Sequence, residues 1–208
     1  MTNIAIIQAR MTSSRLPGKM LLPIKTKPAI EWVIDSAKQI KGIDKIVLAT
    51  SGESTDDVLA NFSSNKGIEC FRGNLNNVLQ RFYDAATKYN ASNIIRITGD
   101  CTFLDPDICS GILYMLQDSG YDYVSNALNP TFPDGLDCEA FTMQTLRNIY
   151  KKSEGELFTE HVTTYINYNR SLFNIGHYTS PLNGLAKHRW TLDTQADYEF
   201  LCSVASHL

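Results

Sequence analysis

The segment QARMTSSRLPGKM, residues 8–20, carries Arg10, Arg15 and Lys19, the hydroxyls of Thr12, Ser13 and Ser14, and a Pro-Gly turn, with no acid. Such a loop suits a phosphate chain, because side-chain cations, hydroxyls and backbone N–H groups can all donate to anionic oxygens. It is not a P-loop: GxxxxGK[ST] is absent, and so is GxGxxG. Asp100 closes the run NIIRITGD and Asp193 closes HRWTLD. Two carboxylates brought together would hold Mg²⁺, whose remaining positions go to phosphate oxygens and water. The competing role for each is helix capping, by Asp100 or Asp105 before one helix and by Asp193 before another.

The charge distribution supports a local anion site. All 22 Asp and Glu residues lie beyond Ile30, with 14 of the 19 Lys and Arg, and the net charge is −3. This balance excludes a general nucleic-acid or membrane-surface binder and favours a small anionic ligand. The five cysteines are odd in number and form no CxxC pair, so neither a disulfide framework nor a zinc knuckle is expected. Cys101 and Cys138 have no evident base and are not assigned as nucleophiles. Without a signal-peptide pattern or a membrane-length apolar run, the expected location is the cytoplasm.

The elements that position these groups read as α/β. NIAIIQA, KIVLAT and NIIRITGD are short β-branched runs typical of buried strands, and IECF adds a shorter one. PAIEWVIDSAKQI places Ile30, Val33, Ile34 and Ala37 on one helical face, and NNVLQRFYDAATKY does the same with Val78, Leu79, Phe82, Tyr83 and Ala86. DPDICSGILYMLQDSG has an acidic start with Pro and a Gly stop. The alternation predicts a mostly parallel sheet with right-handed crossovers. Beyond residue 125 the pattern shifts to a Pro-rich turn, a short strand, helices near 142–153 and 158–169, strands at FNIGHY and HRWTLD, and a helix from Thr194. We read one domain: a nucleotide-binding half, 1–125, and an acceptor-binding half, 126–208, whose Pro-rich stretch 129–133 is a candidate packing arm in a homodimer. Ligands of open α/β sheets sit at strand carboxyl ends. Thr50, Ser51, Arg72, Asp100 and the basic loop are therefore expected to converge.

IIQARMTSSRLPGKMLLPI with KPAIEWVID resembles the opening of the cytidylyltransferases that activate acidic sugars, such as the 3-deoxy-manno-octulosonate and acylneuraminate enzymes. The pattern is nearest to the spore-coat polysaccharide biosynthesis protein F branch. The likeness continues through FRGNLNNVLQRFYDAA, IRITGDCTFLDP, PDGLDCEAF, EHVTTYI and RWTLDTQADYEFL, nearly the whole chain.

The resemblance implies a Rossmann-like nucleotidyltransferase fold of glycosyltransferase-A type, three layers α/β/α around a mixed, mostly parallel sheet. It implies a nucleoside triphosphate substrate, CTP favoured, whose nucleotidyl group passes to a sugar hydroxyl with release of pyrophosphate. Arg10, Ser14 and Lys19 match the phosphate-loop positions, and Ala9, Arg72, Gly73, Asn74 and Gly99 complete the nucleotide-binding set. Asp100 and Asp193 match the metal-binding aspartates, with Mg²⁺ the expected cofactor. Arg15, Lys19 and Asp100 are the catalytic candidates, the two cations facing the departing pyrophosphate.

For the acceptor, PDGLDCEAF offers Asp134, Asp137 and Glu139, and TEHVTTY offers Glu160 and His161. His161 supplies an imidazole for a hydroxyl, a phosphate or a proton, or else is a satisfied histidine on a helix face. Two positions depart from the pattern: Thr102 stands where Pro is usual, and Asn77 where Asp is frequent. By the same pattern a segment beyond Leu208 is expected. Alternatives are guanylyl or other nucleotidyl transfer to a sugar phosphate, and a non-catalytic homologue that binds nucleotide or sugar.

Overall fold

The computed structural model describes residues 1–207. Its centre is a seven-stranded sheet built from β1 (Asn3–Gln8), β4 (Lys45–Ser51), β5 (Glu69–Gly73), β6 (Asn93–Thr98), β7 (Tyr123–Ser125), β8 (Glu139–Thr142) and β9 (Ile175–His177). The order across the sheet is β5-β4-β1-β6-β8-β7-β9. β8 runs antiparallel to β6 and β7, and the remaining pairs are parallel. A separate two-stranded hairpin, β2 (Pro23–Ile24) and β3 (Lys27–Pro28), precedes the first long helix.

Strand periodicity divides the core into two layers. On β1, Ala5 and Ile7 face one side and Ile4 and Ile6 the other. The first side is covered by α1 (Ala29–Ala37), α2 (Asp57–Asn65) and α4 (Pro106–Asp118), through Ile30, Val33, Ile34, Leu59 and Ile112. The second is covered by α3 (Val78–Lys88), α5 (Met143–Lys152) and α7 (Thr164–Tyr168), through Leu79, Phe82, Leu146, Ile149 and Ile166. The C-terminal α8 (Gln195–Ala205) packs Leu201 and Ala205 against Ile24 and Ala29 beside the hairpin. This is the three-layer α/β/α arrangement with a mixed, mostly parallel sheet.

Two expected elements differ. Residues 158–169 are not one helix but the end of α6 (Glu156–Glu160) and then α7, with a break at 161–163. The break has a tertiary cause: Thr163 is drawn inward, its hydroxyl donating to the buried Glu139 at 2.9 Å. Residues 188–193 are extended but do not join the sheet, and their one bridge pairs Asp134 with Arg189. Their backbone partners are loops: Trp190 N–H donates to the Asp134 carbonyl at 2.6 Å and Leu192 N–H to the Asp100 carbonyl at 2.9 Å. The segment thus crosses above the sheet instead of extending it. Among the described residues no helix is long and apolar enough to cross a membrane.

Candidate active site

The basic loop is held at both ends. The Met11 carbonyl accepts from the N–H groups of Ser13 and Gly18, each at 3.0 Å, which folds the loop back on itself. Met11 N–H donates to Asp56 Oδ1 at 2.7 Å, and the other Asp56 oxygen accepts from the Ser51 N–H at 3.1 Å. Burial works to raise the Asp56 carboxyl, yet donors from Ser51 and Met11 hold it below the usual range. Thr50 and Ser51, expected in the crevice, are instead fully buried, and Ser51 serves this anchor.

Lys19 opens a single 3-10 turn, Lys19–Leu21, and its side chain points inward, 9% exposed. Its ammonium donates to Asp100 Oδ2 at 3.1 Å, Asp193 Oδ1 at 3.1 Å and the Leu192 carbonyl at 2.8 Å. Arg15 pairs with the second oxygen of Asp193. The cationic loop and the two aspartates therefore meet at one point on the carboxyl edge of the sheet.

Neither aspartate caps a helix. Asp105 caps α4, accepting from Asp107 N–H at 2.8 Å and Ile108 N–H at 3.2 Å. Thr194 caps α8 in a capping box with Asp197. Asp197 Oδ2 also accepts the N–H of Asp193 at 3.1 Å, fixing the backbone that presents that carboxylate. Burial opposes its charge, but Arg189 and Thr194 hold the Asp197 carboxyl down at about 2. Asp197 was missed by the sequence reading, although Thr-x-x-Asp before an apolar run is the sign of such a box.

Two cavities adjoin at Thr98, Asp100, His161 and Asp193. The first, about 380 Å³, is lined by the loop residues Arg10, Ser13, Ser14, Arg15 and Lys19, and also by Ala9, Gly99, Val78, Arg81 and Glu160. The second, about 400 Å³, is lined by Asp134, Asp137, Thr163, Thr191 and Arg189 among others. Expected nucleotide residues Ala9, Arg10, Ser14, Lys19 and Gly99 share the first cavity; Asp137, Glu139 and His161 share the second. His161 belongs to both and sits at the break after α6, not on a helix face. Glu160 ends α6 and reaches only the first.

Arg72, Gly73 and Asn74 do not line either cavity, contrary to the expectation. Arg72 is drawn away, with Nε donating to the Ser51 carbonyl at 3.0 Å, Nη2 to the Glu53 carbonyl at 2.7 Å, and Nη1 paired with Asp57 at 2.6 Å. The Asn74 side chain accepts from the N–H groups of Asn76 and Asn77, each at 2.9 Å, and builds a turn. Asn77 caps α3 through Gln80 N–H at 2.9 Å, a task Asp performs equally well. Arg81, which was not expected, takes the place of Arg72 in the cavity wall. The signal was its position: three residues after Val78, it lies on the apolar face of an amphipathic helix.

In the second cavity Glu139 is spent on the protein itself. Its oxygens accept from Arg96, Tyr123 and Thr163, and only 6% of the residue is exposed. Asp134 is paired with Arg189 at 2.6 Å. Among the described residues Asp137 forms no ion pair, and its carboxyl is pushed up to about 6 by burial, with Asp134, Glu139 and Asp100 adding repulsion and Arg96 offsetting part of the rise. Thr102 is fully buried, with a hydroxyl that meets no partner among the described residues. All five cysteines are free, and burial pushes the Cys101 thiol well above its ordinary range.

Asp100 and Asp193 fit a divalent ion as a carboxylate pair converging on one cationic nitrogen. Among the described residues no group of three or more His, Cys, Asp or Glu forms a metal cluster. Two protein carboxylates suffice for Mg²⁺ when phosphate oxygens and water complete its shell.

A mostly parallel sheet under a basic loop and two facing aspartates places the chain in the nucleotidyltransferase-like α/β class. Comparison with known proteins gives the family: the cytidylyltransferase family model matches residues 4–205, and the chain belongs to that family. It is 35% identical over 202 residues to the spore coat polysaccharide biosynthesis protein SpsF of Bacillus subtilis, covering 93% of this chain and 82% of that protein. A cytidylyltransferase structure from Leptospira borgpetersenii superposes with a TM-score of 0.96 at 33% identity, covering 100% of this chain and 88% of that one. A CMP:2-keto-3-deoxy-manno-octonic acid synthetase complexed with CTP has the same fold at 18% identity, with a TM-score of 0.75 over 100% of this chain and 99% of that one.

Proposed function

We propose that this chain transfers the cytidylyl group of CTP to a hydroxyl of a sugar or sugar acid and releases pyrophosphate. The observation that carries the reading is the Lys19 ammonium lodged between Asp100 and Asp193, where the two cavities join. Family membership and the CTP complex of a fold neighbour support CTP. Likeness to SpsF supports a product for surface polysaccharide.

On this reading the chain is one nucleotidyltransferase domain, with the triphosphate in the first cavity and the acceptor in the second. The acceptor oxygen attacks the α-phosphorus, the bond to the β-phosphate oxygen breaks, and pyrophosphate leaves with that oxygen. Arg10, Ser14, Arg15 and Lys19 bind and orient the phosphates. Arg15 and Lys19 exchange their carboxylate partners for the phosphate oxygens and stabilise the charge that develops on the leaving group. His161 and Asp137 face the acceptor and are the groups placed to take its hydroxyl proton. Asp100 and Asp193 would hold Mg²⁺. That ion, when bound, supplies charge neutralisation to the phosphates and lowers the pKa of a coordinated hydroxyl.

The test is pyrophosphate release with CTP, GTP, UTP and ATP against a panel of sugar acids and sugar phosphates. Release confined to CTP with a sugar or sugar-acid acceptor is expected. Release driven by GTP and a sugar phosphate, or none from any pair despite nucleotide binding, overturns the reading.

A further inference from the structure

Residues 158–169 carry a helical pattern, yet the chain leaves the helix at 161–163 and two consecutive side chains turn inward there. Val162 is 1% exposed and shares a core layer with Leu146, Ile149 and Ile166, and Thr163 is 5% exposed. An unbroken helix would aim these neighbours roughly 100° apart. His161, just before them, has extended backbone at φ −117 and ψ 108, and it lines both cavities where they join. The preceding helix does little to fix it there, since α6 buries none of its five residues.

The break is tied to the partner of Thr163. Glu139 opens β8, and its carboxylate accepts from Arg96 on β6, Tyr123 on β7 and Thr163. Arg96 is itself held by the Gln8 side chain of β1, Nε donating to Oε1 at 3.1 Å. A buried carboxylate needs such donors to keep its charge. Among the described residues Thr163 is the one of the three donors that comes from outside the sheet. Its hydroxyl therefore fastens the segment bearing His161 to four strands at once.

We propose that Thr163 is a positioning residue for the transfer: its bond to Glu139 holds 161–163 out of the helix and keeps His161 at the junction of the cavities, where the imidazole takes the acceptor's hydroxyl proton. This rests on the nucleotidyl-transfer reading of the site. Without the bond, the helical pattern of 158–169 can close over the break and carry the imidazole away from the acceptor. A small displacement of a reacting group is enough to slow a reaction steeply. Thr163 is the position to test, because Glu139 lies two residues from Asp137 and a change there would disturb both candidate proton acceptors.

Pyrophosphate release is to be measured, with CTP and acceptor varied in turn, for wild type, Thr163→Val, Thr163→Ser, His161→Gln and the double variant Thr163→Val with His161→Gln, each beside its melting curve. Thr163→Val keeps the shape and removes the donor. Its kcat should fall about tenfold or more with the KM for CTP unchanged, and Thr163→Ser, which restores the hydroxyl, should recover kcat. His161→Gln should lose at least as much, and adding Thr163→Val to it should cost nothing further. A wild-type kcat in Thr163→Val overturns the proposal. So does a loss that Thr163→Ser fails to restore, or a double variant in which the two losses multiply. Should Thr163→Val not fold, Thr163→Ala is read in the same way, and His161→Gln, at an exposed position, decides by itself if its turnover is undiminished. A wild type that releases no pyrophosphate from any nucleotide and acceptor overturns the functional reading and this one with it; full turnover in His161→Gln overturns this one alone.

Discussion

Lys19 and Asp193 are 174 positions apart in the chain, and their side chains meet at 3.1 Å. The same ammonium touches Asp100 and the Leu192 carbonyl, so one buried cation joins the first loop of the fold to its last extended segment. With Arg15 on the second Asp193 oxygen, two cations balance the two carboxylates.

Lys19→Ala should lower pyrophosphate release by roughly a hundredfold or more, the usual loss for one donor facing developing charge. Its nucleotide-free melting temperature should fall as well, because the facing carboxylates lose their shared cation. Steady-state kinetics beside a melting curve checks both. Near-normal turnover would remove Lys19 from the reaction.

Asp137 gives the pH signature. Folded Asp137 keeps its proton up to about pH 6, whereas the unfolded chain releases it near pH 4. Between these values the folded state binds more protons, so wild type loses stability as pH rises through that window. Asp137→Asn escapes the loss. It should match wild type near pH 4 and exceed it at pH 8 by at most about 3 kcal/mol. Urea unfolding across this range measures the difference, and a gap that does not vary with pH contradicts the burial argument.

Gly135 lies at φ 104, and a Cβ there would stand 2.4 Å from the Trp190 carbonyl carbon and 2.5 Å from the Thr191 nitrogen. Gly135→Ala must therefore push the 190–193 segment outward, and Asp193 with it. We expect a loss of stability above about 1 kcal/mol, from strain at a positive φ alone, together with impaired turnover. Thermal melts and kinetics test this pair of effects, and a variant indistinguishable from wild type refutes the packing argument.

Strands β1, β4 and β6 were legible because buried parallel strands read as unbroken apolar runs, α1 and α3 because their apolar faces repeat at helical spacing, and α4 because it has an acidic start with Pro and a Gly stop. The break at 161–163 was not, since its cause is a hydroxyl reaching Glu139 from 24 positions away. Residues 188–193 looked like a strand because they are extended, but local pattern does not reveal that their partners are loops. Lys19, Arg15 and both aspartates, singled out by residue type, meet in space. Arg72 was overvalued for standing at a strand end, where carbonyls and Asp57 capture it. Arg81 was overlooked because a charge in an amphipathic helix is normally solvated, and only its place on the apolar stripe sets it apart.

The central claim is that the basic loop and the aspartate pair form one nucleotide site. A crystal structure grown with CTP and Mn²⁺, with anomalous data locating the metal, tests it most directly. The account predicts triphosphate density along residues 10–19 and an anomalous peak shared by the carboxylates of Asp100 and Asp193. Nucleotide bound elsewhere, or a metal peak remote from both aspartates, would contradict it.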